Sequence, residues 1–190
     1  YALEPNTNPN LFEGANIAAE MENSTIGNVC SYQGLLRSLK ESDAEIVIHM
    51  AAQPLVRQSY QDPIGTYETN VMGTVHILEA IRHCKTVKSF VNVTTDKVYL
   101  NKEWEWGYRE SDRLDGYDPY SNSKSCSELV TSSYKKSFFS DGSVAISTCR
   151  AGNVIGGGDF SLDRIIPDCV RAVLKNESII VRNPHSTRPY

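Results

Sequence analysis

Apolar positions along this chain alternate between two rhythms. After an irregular opening rich in Asn and Pro, residues 32–42 (YQGLLRSLKES) have helical spacing, and residues 44–52 (AEIVIHMAA) follow as a short strand-like run. Residues 62–85 (DPIGTYETNVMGTVHILEAIRHCK) place Pro63 in a first helical turn and set Ile64, Tyr67, Val71, Val75, Leu78 and Ile81 on one stripe, which predicts an amphipathic helix packing through that stripe. The same alternation predicts a strand at 89–94 (SFVNVT), a helix at 120–136, a strand at 143–150 (SVAISTCR), a helix at 164–176 and a last strand at 178–182 (SIIVR). Strands separated by helices call for a parallel sheet covered on both faces, a doubly wound α/β architecture.

The strand at 89–94 ends abruptly in polar residues: VNVTTDKVYLNK passes from β-branched positions to Thr94, Thr95, Asp96 and Lys97. The carboxyl ends of parallel strands are where open α/β sheets bind ligands, so this turn is the first candidate for chemistry. No G-x-G-x-x-G and no P-loop occurs in the chain, and GNVIGGGD at 152–159 has neither spacing. That run reads as a tight turn, or as backbone that a ligand can approach closely.

Composition narrows the classes. With 190 residues, 40% hydrophobic and 22% charged, the chain reads as one soluble globular domain with a sizeable core. A formal net charge of −4 disfavours a general nucleic-acid or anionic-membrane partner. No apolar run reaches the roughly 18 residues of a spanning helix, and the expected location is cytoplasmic. The five cysteines form no C-x-x-C pair, so reduced thiols and no metal site are expected. The chain begins at Tyr1 and reads as an internal piece of a longer protein.

Tyr120 and Lys124 stand four residues apart on the helix of 120–136, on one face and about 5–6 Å apart at Cβ. A phenol near 10 must lose about three pK units, or roughly 4 kcal/mol, to act as a base at neutral pH. An ammonium about 4 Å away contributes about that much at an effective dielectric of 20. Leu129 falls opposite the pair on the wheel, which predicts that Tyr120 and Lys124 face away from the packed side. With ten tyrosines and nine lysines, one such spacing is unremarkable by itself, and a surface pair reads equally well; the weight comes from the Thr95-Asp96-Lys97 turn that precedes the helix. There a hydroxyl, an acid and a base stand side by side, where the plain alternative is a solvated turn.

The motifs HMAAQPLVRQSY, NVMGT, TTDKVY, YSNSK and RAGNVIGGGDF, in this order, resemble the extended short-chain dehydrogenase/reductase family, and within it the sugar-nucleotide 4,6-dehydratases. Asp96-Lys97 is the version carried by those acting on CDP-glucose, where related dehydratases have Asp-Glu. The resemblance implies a Rossmann-like domain lacking its first βα unit and most of its C-terminal substrate-binding part, which begins at about residue 151. It implies NAD as cofactor, a nucleotide sugar such as CDP-glucose as substrate, a homo-oligomeric full-length protein, and a place in deoxysugar biosynthesis. By the same resemblance Tyr120 is the base at the C4 hydroxyl, Thr95 holds that oxygen, Lys124 lowers the tyrosine pKa and binds the cofactor ribose, Lys97 is the base at C5, and Asp96 is the acid at the C6 hydroxyl. Asn28, Val29, Ala51, Ala52 and Asn70 are implied cofactor contacts, and Gln53, Arg57, Asn153 and Arg188 implied contacts to the sugar nucleotide. Arginines suit a pyrophosphate because guanidinium offers a fork of donors. The turn Gly27-Asn28-Val29 carries Asn where relatives often have an aspartate for the adenine amino group, and Tyr190 stands where the family usually has Trp. A dehydratase or epimerase of another nucleotide sugar, and a non-catalytic module keeping the fold, stay open.

Overall fold

The computed structural model describes residues 1–154 and 156–186. They divide into two compact units, one of residues 1–2 and 25–152, the other of residues 3–24 and 153 onward.

The first unit is built on three parallel strands in the order β1 (Ile46–His49), β2 (Ser89–Thr95) and β3 (Ala145–Ala151). Their register pairs Val47 with Phe90 and Phe90 with Ile146. Helix α2 (Tyr32–Ser42) starts at Ser31, whose Oγ accepts the Gly34 amide at 3.3 Å. Between β1 and β2 run α3 (Val56–Gln61), α4 (Pro63–Tyr67), a π-helical turn (Glu68–Met72) and α5 (Gly73–Arg82); Asp62 caps α4 and Pro63 opens it. Between β2 and β3 runs the long α6 (Pro119–Phe138). Its start is over-determined: Asp118 accepts the Ser121 amide at 3.0 Å and the Ser121 hydroxyl at 2.6 Å, and Pro119 occupies the first turn. Gly116 leads into it with no room for a side chain, because a Cβ there would meet the Ser121 carbonyl carbon at 2.3 Å.

Leu35 and Leu39 of α2, Ile77, Leu78 and Ile81 of α5, and Phe90 and Ile146 of the sheet form one apolar core. The helices α2, α5 and α6 lie on the sheet face that carries Phe90, Asn92 and Thr94; on the other face Ile46 and Ile48 are exposed within this unit. The stripe expected to pack along residues 64–81 does so only in its second half. Leu78 and Ile81 are buried, but Ile64 is exposed, and the buried side of the first half is Thr66, Asn70 and Thr74. The π turn adds a residue to one helical turn and shifts the face, a distortion that occurs mostly at functional sites.

The second unit carries α1 (Leu11–Gly14), a 3-10 turn (Ile17–Glu20) and α7 (Ile165–Leu174). Residues 178–182, expected as a strand, form none: Arg182 pairs instead with Asp163 at 2.8 Å and Asp168 at 3.0 Å, and Ile180 is exposed. An apolar run becomes a strand only where a neighbouring edge takes its backbone groups. Among the described residues no helix is long and apolar enough to cross a membrane.

Candidate active site

At the end of β2 the backbone closes into a 3-10 turn, Asp96–Val98, capped by Thr95. The Thr95 hydroxyl donates to Asp96 Oδ1 at 3.0 Å and accepts the Lys97 amide at 3.4 Å. Asp96 and Lys97 are half-buried and Thr95 is buried. Helix α6 packs on β2 and on this turn, and Ser125 Oγ donates to the Val98 carbonyl at 2.8 Å.

Tyr120 sits half-buried in the first turn of α6 and Lys124 one turn on. The wheel argument from Leu129 is overturned: Leu129 is 58% exposed and Lys124 only 4%. Helix α6 packs through Ser121, Ser123, Lys124, Ser125, Ser127, Glu128 and Thr131, because small hydroxyl residues let it approach the sheet closely while their bonds replace water. Lys124 Nζ donates to the Val93 carbonyl at 3.0 Å. Burial brings its ammonium down from 10.5 to about 8, and the Glu128 carboxylate opposes that fall. His49, at the end of β1, is held down to about 4 by burial and then by the Lys124 charge.

The loop after β1 is wired to α6 through Asn70. Asn70 Oδ1 accepts the Gln53 amide at 2.8 Å, and its Nδ2 donates to the Gln53 carbonyl at 3.1 Å and to Ser123 Oγ at 2.9 Å. Gln53's own side chain is spent on Thr66 of α4 and on the Leu55 amide and carbonyl. Ala51 and Ala52 are half-buried beside it. Asn28 is exposed, with Oδ1 accepting the Cys30 amide at 2.9 Å, while Val29 is buried in the core. Arg57 is exposed on α3. Asn153 is exposed and belongs to the second unit; Arg188 and Tyr190 lie outside the described residues.

This arrangement meets its relatives by sequence. Residues 10–190 match the family model described as GDP-mannose 4,6 dehydratase. The chain belongs to that family. It is 52% identical to the CDP-glucose 4,6-dehydratase of Salmonella typhimurium over 195 residues, covering 100% of this chain and 54% of that protein. A dTDP-D-glucose 4,6-dehydratase of Dictyostelium discoideum is 30% identical over 175 residues, 86% of this chain and 39% of that one. The chain thus spans about half the length, or less, of these curated relatives. Among solved structures, a UDP-glucuronic acid 4-epimerase from Bacillus cereus, in complex with UDP-glucuronic acid and NAD, superposes with a TM-score of 0.73 at 25% identity, covering 88% of this chain and 52% of that one. A double mutant of DesIV, the dTDP-glucose 4,6-dehydratase of Streptomyces venezuelae with NAD bound, gives 0.72 at 26% identity, covering 86% and 49%. The Rossmann-like parallel-sheet fold expected from the motifs is therefore the fold of the family.

The roles of two residues beside the site escape a reading of the sequence. Glu128 continues the Tyr120–Lys124 spacing by another four, and its carboxylate takes the Thr94 hydroxyl at 2.6 Å and the Arg150 Nε at 2.8 Å. The i+8 stripe was the available signal for Glu128; Arg150, near the end of β3, opens the motif RAGNVIGGGDF, which gives no sign of its partner.

Proposed function

We propose that the full-length protein carrying this chain is an NAD-dependent sugar-nucleotide 4,6-dehydratase whose substrate is CDP-glucose. The observation that carries the reading is the buried Lys124 ammonium on the helix whose first turn bears Tyr120, packed on the strand that ends in Thr95-Asp96-Lys97. Identity of 52% to a CDP-glucose 4,6-dehydratase supports the substrate, and so does the Asp-Lys pair.

The residues at the sheet's carboxyl edge fit a nicotinamide dinucleotide. Ala51 and Ala52 are small, Thr95 offers a hydroxyl, and Lys124 is a cation held with its Nζ on a strand carbonyl rather than in solvent. Asn28 and Val29, Asn70, Tyr120 and Lys124 are the residues that would hold it, with Asn70 acting by fixing the Gln53 loop. Bound NAD supplies reversible hydride acceptance at C4 and return at C6.

Tyr120, its phenolate favoured by the Lys124 charge, takes the proton of the C4 hydroxyl while Thr95 holds that oxygen. The resulting 4-keto group acidifies C5. Lys97 removes the C5 proton and Asp96 protonates the C6 hydroxyl, which leaves as water, so the net reaction is dehydration. Gln53, Arg57, Asn153 and Arg188 are the contacts assigned to the sugar nucleotide, and the substrate-binding part starts at about residue 151.

The test is a single turnover of the full-length protein with CDP-glucose in deuterated water. Lys97→Met should spare the change in nicotinamide absorbance and block deuterium entry at C5, and Tyr120→Phe should abolish both while NAD still binds. Normal deuteration in Lys97→Met would mean that another group is the base at C5, whereas a nicotinamide absorbance change with no deuterium at C5 in the wild-type protein would favour a C4 epimerase, for which no acid–base pair at C5 and C6 is needed.

A further inference from the structure

Beside the site lies a charged constellation that the proposed chemistry does not use. Glu128 is one turn beyond Lys124 on α6 with 3% of its side chain exposed, and Arg150, near the end of β3, has 16% exposed. Arg150 forks onto the carboxylate, Nε donating to Oε1 at 2.8 Å and Nη2 to Oε2 at 2.5 Å. Thr94 Oγ1 donates to the same carboxylate at 2.6 Å. From the other side of the fork, Arg150 Nη1 donates to the Tyr99 hydroxyl at 2.7 Å and the Glu110 carbonyl at 3.1 Å, and the guanidinium carbon stands 4.7 Å from the Tyr99 ring centroid. The hydrogen bonds to Glu128 raise Arg150 above its ordinary value, which keeps the guanidinium charged.

Stability alone is a poor account of such a pair. Desolvating two ions costs so much that packed apolar residues of similar volume often serve a fold as well or better. What an ion pair supplies is registry, and the registry here is specific. Thr94 and Tyr99 bracket the Thr95–Val98 turn, and both are tied to this one pair. Between them the turn has local bonds from Thr95, and its Val98 carbonyl takes two bonds, from Ser125 Oγ and from the Asp115 amide at 2.9 Å. Lys124, by contrast, has its own tie to β2 through the Val93 carbonyl.

We propose that Glu128 and Arg150 are positioning residues, whose ion pair holds Asp96 and Lys97, which lie beyond the β2–β3 ladder that fixes Thr95 opposite Ala151, in register with the Tyr120–Lys124 face of α6, and so governs the proton transfers at C5 and C6 more than the oxidation at C4. The division between the two steps rests on the dehydratase reading above.

The experiment uses the full-length protein with NAD and CDP-glucose, and three variants: Glu128→Met/Arg150→Met, Arg150→Lys and Tyr99→Phe. Removing both ions together avoids stranding a buried charge, so the double variant should unfold at or above the wild-type temperature. Its C5 deuteration should slow on the order of 30-fold, within the range that a misplacement of about 1 Å produces, while KM and the nicotinamide absorbance change stay within about threefold of wild type. Arg150→Lys keeps the charge without the fork and should fall between. Tyr99→Phe, which cuts one tether, should slow deuteration by a few fold. Hydrogen exchange at the amides of residues 95–99, which needs no substrate, should rise in the double variant. Unchanged exchange at those amides overturns the proposal. So does wild-type C5 deuteration in the double variant, or a parallel loss of both steps with a lowered unfolding temperature, which is loss of fold. Wild-type turnover of CDP-glucose tests the dehydratase reading separately, since the positioning role is read from variant-to-wild-type ratios and from amide exchange.

Discussion

Phe90 and Asn92 stand two residues apart on the same face of β2, and both are fully buried, yet they belong to different kinds of interior. Around Phe90 the sheet meets α2 and α5 through Leu35, Leu39, Ile77, Leu78 and Ile81, a core of side chains that ask only for volume. Around Asn92 it meets α6 through hydroxyls and charges. Asn92 Nδ2 donates to Ser127 and Thr131, both at 2.9 Å, Thr74 and Ser127 share a bond of 2.8 Å, and Thr94 reaches Glu128. His49 marks the border, its ring stacked 6.4 Å from Phe90 and its Nε2 3.3 Å from the Thr74 hydroxyl. The first interior contributes stability without direction, and the second contributes direction at a cost in desolvation. The candidate site lies at the end of the second.

The apolar half should therefore carry most of the folding energy. Phe90→Ala should cost about 3–5 kcal/mol, read as a fall in the urea midpoint of the full-length protein. A cost below that of Asn92→Ala would break the comparison. Next in size is the border. His49 has a folded value near 4 against 6.5 for the ordinary imidazole, so between these values the unfolded chain binds the proton more tightly. Its contribution is present above pH 6.5 and lost as pH falls through 4, on the order of 3 kcal/mol. His49→Gln should flatten that part of the stability curve against wild type.

Lys124 has the same sign in a higher window. Its folded value near 8 lies below 10.5, so the penalty of its buried charge is in force at neutral pH and is relieved as pH rises from 8 to 10.5. Lys124→Met should gain roughly 1–3 kcal/mol at pH 7 after the loss of the bond to Val93, and wild type should close that gap near pH 10.5. Turnover should be lost in the same variant. A destabilised Lys124→Met at pH 7 would mean that this residue belongs with the structural half. The smallest effect is expected at Asn92→Ala, about 1–2 kcal/mol, since it removes two hydrogen bonds but also a carbonyl oxygen that has no partner in the structure.

The elements were legible from spacing because each rests on a few consecutive residues. Asp118 and Pro119 start α6, Asp62 and Pro63 start α4, and the break from Val93 to Thr94-Thr95-Asp96-Lys97 marks the end of β2 as a site. Tyr120 and Lys124 share a face by helix geometry alone. Which face packs was another matter. Hydrophobicity pointed to Leu129, and the sheet chose the hydroxyls and Lys124, because the surface facing α6 is Asn92 and Thr94 rather than more leucine. The same dependence on partners left Ile64 outside and denied residues 178–182 a strand. Arg150 and Glu128 are 22 residues apart in the chain, and Arg150 and Tyr99 51 apart, so no local pattern announces their meeting. Backbone geometry acts over a turn of helix or a few residues of strand, and sequence carries it in full; burial and charge pairing depend on what the folded chain brings alongside, and that only the tertiary structure decides.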